Sequence, residues 1–395
     1  MEMKQTRGKQ ENPNRSGVST ANVQILPAMD MSGSAYGAEE NRPLAAYEKP
    51  GYELCGYVDR FLETEAGQVP SVRRVLDKAD RLSTIGVRCG IRRHNYLVSP
   101  GLYGIGKPDT GSEVLVTANY KLTFDHLRSA LGNVSAWILV LDTRGVNVWC
   151  AAGKKTFSTR ELVNRIRAVS LETVVTHRRV IVPQLGATGV SARQVRKQSG
   201  FRVVYGPVRA CDIPAFLNNG RKADKQMRQV TFPLFDRFVL TPVEIHSALK
   251  PVGITALVLL ILSGIGPGFF SFQGVWDRGG TALLALATGF LSGAVLTPVL
   301  LPFLPSRKFA FKGVVTGSLC AAALLPVLVP AVGSFTGAAA LFIFSVMVSS
   351  HLAMNFTGAT PFTSPSGVEK EMKQYIPVQM AGVLVSAGLW IYSAF

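Results

Sequence analysis

Between residues 113 and 217, short apolar runs alternate with amphipathic ones. Residues 114–117 (Val-Leu-Val-Thr) and 136–141 (Ala-Trp-Ile-Leu-Val-Leu) are unbroken and of strand length, the pattern of strands buried on both faces. Residues 123–131 between them read as a helix. Ser158 followed by Glu161 predicts a capping box, opening a helix that turns Leu162, Ile166 and Val169 inward. Residues 179–183 and 202–205 give two more strands, with helices at 191–198 and 212–217. This alternation predicts a parallel α/β sheet. Upstream, Val72, Val75, Leu76 and Ala79 fall at helical spacing and predict a helix over 69–82. Residues 100–106, with one Pro and three Gly, read as a loop whose Gly-x-Gly is weak as a phosphate signal.

After Lys250 the pattern changes. Five apolar stretches without Asp, Glu, Lys or Arg follow, at 252–272, 281–304, 313–332, 335–356 and 376–395. Each has about the 20 residues that cross a bilayer. The expected organisation is a leader over 1–45, rich in Gly, Ser, Asn and Pro, and an α/β domain over 46–220. A basic juxtamembrane linker over 221–250 and a five-helix transmembrane domain over 251–395 complete it. Arg307, Lys308 and Lys312 lie between spans two and three, and Lys370 and Lys373 between four and five. The positive-inside rule then puts the α/β domain in the cytoplasm and the C-terminus outside. Uncharged spans give little support to an ion-coupled transporter. His351 with Ser349, Ser350 and Asn355 is a polar cluster within a span, suited to helix packing or, alternatively, to transport.

Charge sharpens this division. The 395 residues carry a net +17 at a mean hydropathy of +0.23. Residues 1–250 hold 36 Lys/Arg and 22 Asp/Glu, which is +14 of that total. A basic domain can bind nucleic acid, but beside a membrane domain the charge points instead to anionic lipid or an acidic protein partner. The five Cys (55, 89, 150, 211 and 320) are scattered, with no Cys-x-x-Cys. That excludes an iron–sulfur or zinc framework in this chain and suits a reducing compartment. Residues 1–15 lack the apolar core of a signal peptide.

In parallel sheets, ligands bind beyond the carboxyl ends of the strands. Four polar or glycine-rich stretches fall just after the expected strands. They are Thr117-Ala118-Asn119, the run Asn147-Val148-Trp149-Cys150-Ala151-Ala152-Gly153-Lys154, Gly186-Ala187-Thr188-Gly189, and Gly206-Pro207. On spacing alone, Cys150 reads as a small core residue. Its place on this edge, among small residues that let a flat group approach and beside Lys154 and Lys155, which favour the thiolate, makes it a candidate nucleophile or ligand.

The run 147–154 resembles the signature of the HgcA family, the membrane-anchored corrinoid proteins of mercury methylation. Residues 114–125 (Val-Leu-Val-Thr-Ala-Asn-Tyr-Lys-Leu-Thr-Phe-Asp), 199–208 (Ser-Gly-Phe-Arg-Val-Val-Tyr-Gly-Pro-Val) and Asp212-Ile213-Pro214 are similar to segments that HgcA shares with the large subunit of the corrinoid iron–sulfur protein. The resemblance covers roughly residues 68–395. This chain lacks that subunit's Cys-rich cluster domain, so electrons would come from another protein. The resemblance implies a Rossmann-like, doubly wound corrinoid-binding domain and a corrinoid-dependent methyltransferase that gives methylmercury from Hg(II). It implies a base-off cobalamin with Cys150 as lower axial ligand to cobalt. A cap helix from 147 to 153 would lie under the ring, with Ala151, Ala152 and Gly153 admitting it, Val148 and Trp149 walling its lower face, and Thr117 near the metal. Lys154, Asn119, Gly186, Ala187, Gly189, Gly206 and Pro207 are the remaining expected contacts. The implied partners are an HgcB-type ferredoxin with two 4Fe–4S clusters and a methyltetrahydrofolate-linked methyl donor. Two alternatives stay open: a membrane-anchored corrinoid carrier or electron-transfer module with a non-mercury acceptor, and a transporter with a cytoplasmic regulatory domain.

Overall fold

The computed structural model describes residues 55–360, 363 and 365–395. The leader expected over 1–45, and residues 46–54 of the expected α/β domain, lie outside them. The α/β part runs β1 (Val58–Thr64), β2 (Gly67–Val72), α1 (Lys78–Arg88), β3 (Gly101–Ile105), β4 (Val114–Ala118), α2 (Lys121–Ala130) and β5 (Ala136–Leu141). It continues through α3 (Val148–Gly153), α4 (Thr159–Ala168), α5 (Leu171–Val174), β6 (Arg179–Val182), α6 (Ala192–Ser199), β7 (Arg202–Tyr205) and α7 (Ile213–Asn218).

The seven strands form one mixed sheet in the order β1-β2-β3-β5-β4-β6-β7. The strands read from apolar runs, β5-β4-β6-β7, are parallel as expected. The wholly parallel sheet is corrected, because β3 runs antiparallel to β5 and β1 and β2 form a hairpin. Helices cover both faces. One apolar cluster joins Val148, Ala151, Leu162, Ile166 and Val195, from α3, α4 and α6, to Val116 and Leu139. The other joins Phe124, Leu127, Ile213 and Phe216, from α2 and α7, to Leu115 and Ile138.

Two further expectations fail for identifiable reasons. The helix over 69–82 is instead the end of β2 and the start of α1. Residues 69–72 are held by pairing to β1 and β3, and Val75 is exposed. Asp77 then starts α1 with a capping box to Asp80. The loop over 100–106 is largely strand β3, because Leu102, Tyr103 and Ile105 bury their side chains. Gly104 leaves room there, since a Cβ would collide with Leu62 and crowd Pro108. The capping box at Ser158 is half made. Its Oγ accepts the Glu161 N–H at 3.3 Å, while the Glu161 carboxylate turns to the Asp142 N–H and to Arg165.

Beneath α1 and α2 lies a buried ionic cluster. Lys121 pairs with Asp80 at 2.7 Å and Asp125 at 2.6 Å, and Arg128 with Asp80 at 2.6 Å and Asp125 at 2.8 Å. Arg128 also donates to the Arg73 carbonyl, which ties the exit of β2 to α2.

The second half begins with α8 (Leu234–Phe238) and α9 (Thr241–Ser263). A short hairpin of β8 (Ile265–Gly266) and β9 (Phe269–Phe270) leads to α10 (Phe272–Leu291), a π-turn over 292–296 and α11 (Thr297–Leu300). Then come α12 (Phe309–Val332), α13 (Phe335–Asn355) and α14 (Pro365–Tyr392). Among the described residues, five helical stretches are long and apolar enough to cross a membrane. The first is shifted from 252–272. Gly264, Gly266, Pro267 and Gly268 break the helix there, and it starts earlier, inside the expected linker. The helices also contain charges at their ends. Lys312 is buried and donates to the Leu301 and Leu304 carbonyls, and Arg278 lies over the Trp390 ring.

Arg128→Met would leave both carboxylates short of a partner and should destabilise the α/β domain by about 3–5 kcal/mol, read as a lowered thermal midpoint. Burial alone would raise the Asp80 carboxyl, but the hydrogen bonds from Lys121 and Arg128 outweigh it and hold it below its usual 3.8. A depressed folded value stabilises above the unfolded one. Asp80's contribution should therefore be intact at neutral pH and disappear as pH falls below about 4, and acid titration of the midpoint checks this.

Candidate functional site

Strand β5 lies on one side of β4, and β6 and β7 on the other. The chain therefore changes direction at the carboxyl end of β4, the place where open α/β sheets leave a crevice. A cleft of about 360 Å³ opens there. Thr117 of β4, Asn147, Val148 and Trp149 at the start of α3, Pro183 and Leu185 after β6, and Gly206 and Pro207 after β7 line it. Thr123, His126 and Leu127 of α2 form its opposite wall. The Thr117 residue is only 2% exposed, and its hydroxyl has no hydrogen-bond partner among the described residues.

The loop from β5 to α3 is held from within. Asn119 Oδ1 accepts from the Thr143 N–H (3.0 Å), the Thr143 hydroxyl (2.8 Å) and the Gly145 N–H (3.0 Å), and its amide nitrogen donates to Asp142. Asn119 is thus buried as a bracket between two strand ends and is not part of the cleft wall. Asn147 adopts an extended conformation and caps α3, its Oδ1 accepting the Cys150 N–H at 2.9 Å.

The faces of α3 divide, except that Val148 borders both the core and the cleft. Val148, Ala151 and Ala152 are buried against the core cluster, so the two alanines serve packing. Trp149 and Cys150 are half-buried and Gly153 is exposed, and these three form the outward strip, with Trp149 reaching the cleft. A Cβ on Gly153 would meet open space. Lys154 is exposed at the helix end.

Gly186 and Gly189 lie behind α3 and do not line the cleft. A Cβ on Gly186 would strike the Phe157 ring at 2.5 Å, and one on Gly189 would overlap the Phe157 carbonyl oxygen and sit 3.2 Å from Ala152 Cα. Ala187, half-buried in the same loop, is likewise absent from the cleft wall. His126 was not singled out from the sequence. Its ring lies 3.2 Å from Arg88, and burial first, then the Arg88 charge, pushes its pKa below the ordinary 6.5. A lone His on a mostly polar helix carries no pattern that would have marked it.

With this geometry established, known proteins sharing the segment can be compared. Residues 74–217 match the family described as the CO dehydrogenase/acetyl-CoA synthase delta subunit. The chain is 33% identical over 122 residues to the acetyl-CoA decarbonylase/synthase complex subunit gamma of Methanopyrus kandleri, covering 30% of this chain and 26% of that protein. The subunit gamma of Archaeoglobus fulgidus is 30% identical over 149 residues, 36% of this chain and 31% of that protein. That of Methanocaldococcus jannaschii is 32% identical over 124 residues, 31% and 25% of the two chains. The chain thus spans about a quarter to a third of the curated relatives it matches. The family match runs from just before α1 to α7, so it contains the whole cleft and ends before α8.

Gly189→Ala should cost about 1–3 kcal/mol as an overpacking change, with near-ultraviolet dichroism of the Trp149 region altered. Asn147→Ala should cost about 1 kcal/mol through the lost cap, measured by thermal unfolding. An unchanged midpoint for both would show that α3 does not depend on these contacts.

Proposed function

We propose that this chain is a membrane-anchored corrinoid protein that carries a methyl group and delivers it to Hg(II). The observation that carries the reading is the outward strip Trp149-Cys150-Gly153, beside an apolar crevice whose wall includes Thr117. The residues present fit a corrinoid. An apolar wall suits a flat macrocycle, Gly153 offers no side chain to hold it away, and a thiolate is a soft donor for a transition metal. Similarity to decarbonylase/synthase subunits across the segment holding the cleft supports the same assignment. The Rossmann-like doubly wound description belongs with it, supported by the parallel β5-β4-β6-β7 order and helices on both faces.

Bound there, the corrinoid supplies a methyl group on cobalt. In this reading Cys150 would hold the metal through its thiolate, a soft donor whose electron donation would favour release of the methyl to an electrophile such as Hg(II). Asn147 fixes the turn that presents the thiol by taking up the Cys150 N–H. Trp149 and Thr117 line the same cleft, where the indole would exclude water from the bound group and the hydroxyl would offer it a hydrogen bond. The five apolar helices serve as the anchor, with the α/β domain on the cytoplasmic side. Reducing electrons come from an HgcB-type ferredoxin docking on basic residues such as Lys154, Lys155 and Arg160, and methyl groups from a methyltetrahydrofolate-linked donor.

A second reading keeps the corrinoid carrier and changes the acceptor. It is favoured by the relatives' names, which place them in acetyl-CoA decarbonylase/synthase complexes. Anaerobic cells expressing the chain with its ferredoxin and given Hg(II) distinguish the two. Methylmercury should form with the native chain and fall at least a hundredfold with Cys150→Ala at unchanged protein level. Cobalt bound without methylmercury would select the second reading, and Cys150→Ala methylating normally would remove the ligand role.

A further inference from the structure

Among the described residues, the large apolar side chains that the α/β domain leaves exposed all fall in one stretch. They are Val75 at 75%, Leu82 at 69%, and Ile85 and Ile91 at 58% each. Leu82 and Ile85 lie one turn apart on α1, and Ile91 follows its end. Lys78, Arg81, Arg92 and Arg93 are interleaved with them, and none of these cations forms an ion pair among the described residues. The carboxylates of the stretch are engaged elsewhere, Asp77 with Arg73 and Asp80 in the buried ionic cluster. Apolar and basic groups together on one helix face are the composition of a helix that lies in a membrane surface.

The level at which this face sits is set by α9. The turn after α1 packs on that helix, Gly90 against the His246 ring. His246 precedes Pro251, where the apolar run begins, by five residues, about 8 Å along the helix at 1.5 Å per residue. The polar layer on each side of a bilayer's hydrocarbon core is about 5–8 Å thick. With α9 crossing the bilayer, the end of α1 is therefore held among the lipid head groups. Helix α8 adjoins the same end of the bundle. Its Arg237 donates to the Val299 carbonyl of α11, and its Leu234, Phe235 and Phe238 are left exposed.

We propose that the face of α1 bearing Leu82 and Ile85, with Ile91 beyond it, docks on an anionic bilayer surface and lays the α/β domain against the membrane. The proposal rests on α9 to α14 crossing the bilayer and not on the corrinoid reading. Two features select lipid as the occupant. The face meets the first apolar helix at head-group depth, and its cations stand beside apolar groups with no free carboxylate, which suits phosphate head groups above acyl chains. Docking also bears on the cleft. Arg88 of α1 lies 3.2 Å from His126 of the cleft wall, and the ionic cluster joins α1 to α2. A docked α1 thus fixes the α2 wall of the cleft at the membrane surface.

The test places the photo-crosslinker p-benzoylphenylalanine at single positions of the full chain and reads adducts by mass spectrometry. It is run in the membranes of the expressing cells and in nanodiscs of phosphatidylglycerol and phosphatidylcholine. Position 85 should give a lipid adduct, and position 173, where Thr173 is exposed on α5, should give none. Arg81→Gln combined with Arg92→Gln should lower the adduct at position 85 at least about fivefold, the factor that one cation contributes at an anionic surface. Nanodiscs of phosphatidylcholine alone should lower it similarly. Position 257, where Leu257 is 59% exposed on α9, reports the membrane reading separately. A lipid adduct at 257 but not at 85 would overturn docking alone. So would an adduct from 85 to residues 1–54, to a second copy or to another protein, or a lipid yield indifferent to the two arginines. No lipid adduct at either position would remove the membrane-spanning reading as well.

Discussion

The candidate site rests on a backbone contact. Helix α3 has six residues, too few to be stable alone, and must be held by what it packs on. Gly189 brings the loop after β6 against the Phe157 carbonyl and Ala152 Cα, while Ala151 and Ala152 press into the core. The helix is thereby clamped between sheet and loop, and one strip of it is left outward. Cys150 owes its half-buried position to that clamp and to the Asn147 cap. The small residues around the thiol thus do two kinds of work: Gly153 leaves the outer face open, whereas Ala151, Ala152, Gly186 and Gly189 close the inner one.

That division was only partly legible in the sequence. Unbroken apolar runs located β4 to β7, most clearly β4 and β5, which are buried on both faces and carry no polar alternation. The edge where their carboxyl ends meet followed from the same pattern. What the runs concealed was orientation. Periodicity shows that Ala151 is small, but whether it faces a ligand or a sheet is set by long-range packing. The same applies to Asn119, a polar residue after a strand that works as an internal bracket. β3 was missed because three of its residues or neighbours are Gly, and β2 because Val69 and Val72 also fit a helical repeat. The Asp80–Lys121–Asp125–Arg128 cluster spans two helices and a strand exit, separations that a local pattern does not record.

The two halves of the chain are joined near the cleft. Arg209, next to the cleft residues Val208 and Ala210, pairs with Asp236 of α8 at 2.8 Å. Arg88, which touches His126 on the opposite wall, belongs to α1, the helix whose end meets α9 through Gly90 and His246. Both walls of the cleft therefore connect to the first apolar helix. Within the bundle, Gly313 and Gly317 lie against Ser349, and Gly289 and Gly293 against Ser345 and Ser349, the close approach that small residues allow between packed apolar helices.

The central claim is that Cys150 binds the metal of a corrinoid. X-ray absorption at the cobalt edge, on the full chain purified with its cofactor, tests it most directly. The account predicts a sulfur scatterer in the first shell of the native protein that disappears in Cys150→Ala. A native first shell of nitrogen and oxygen alone would contradict it.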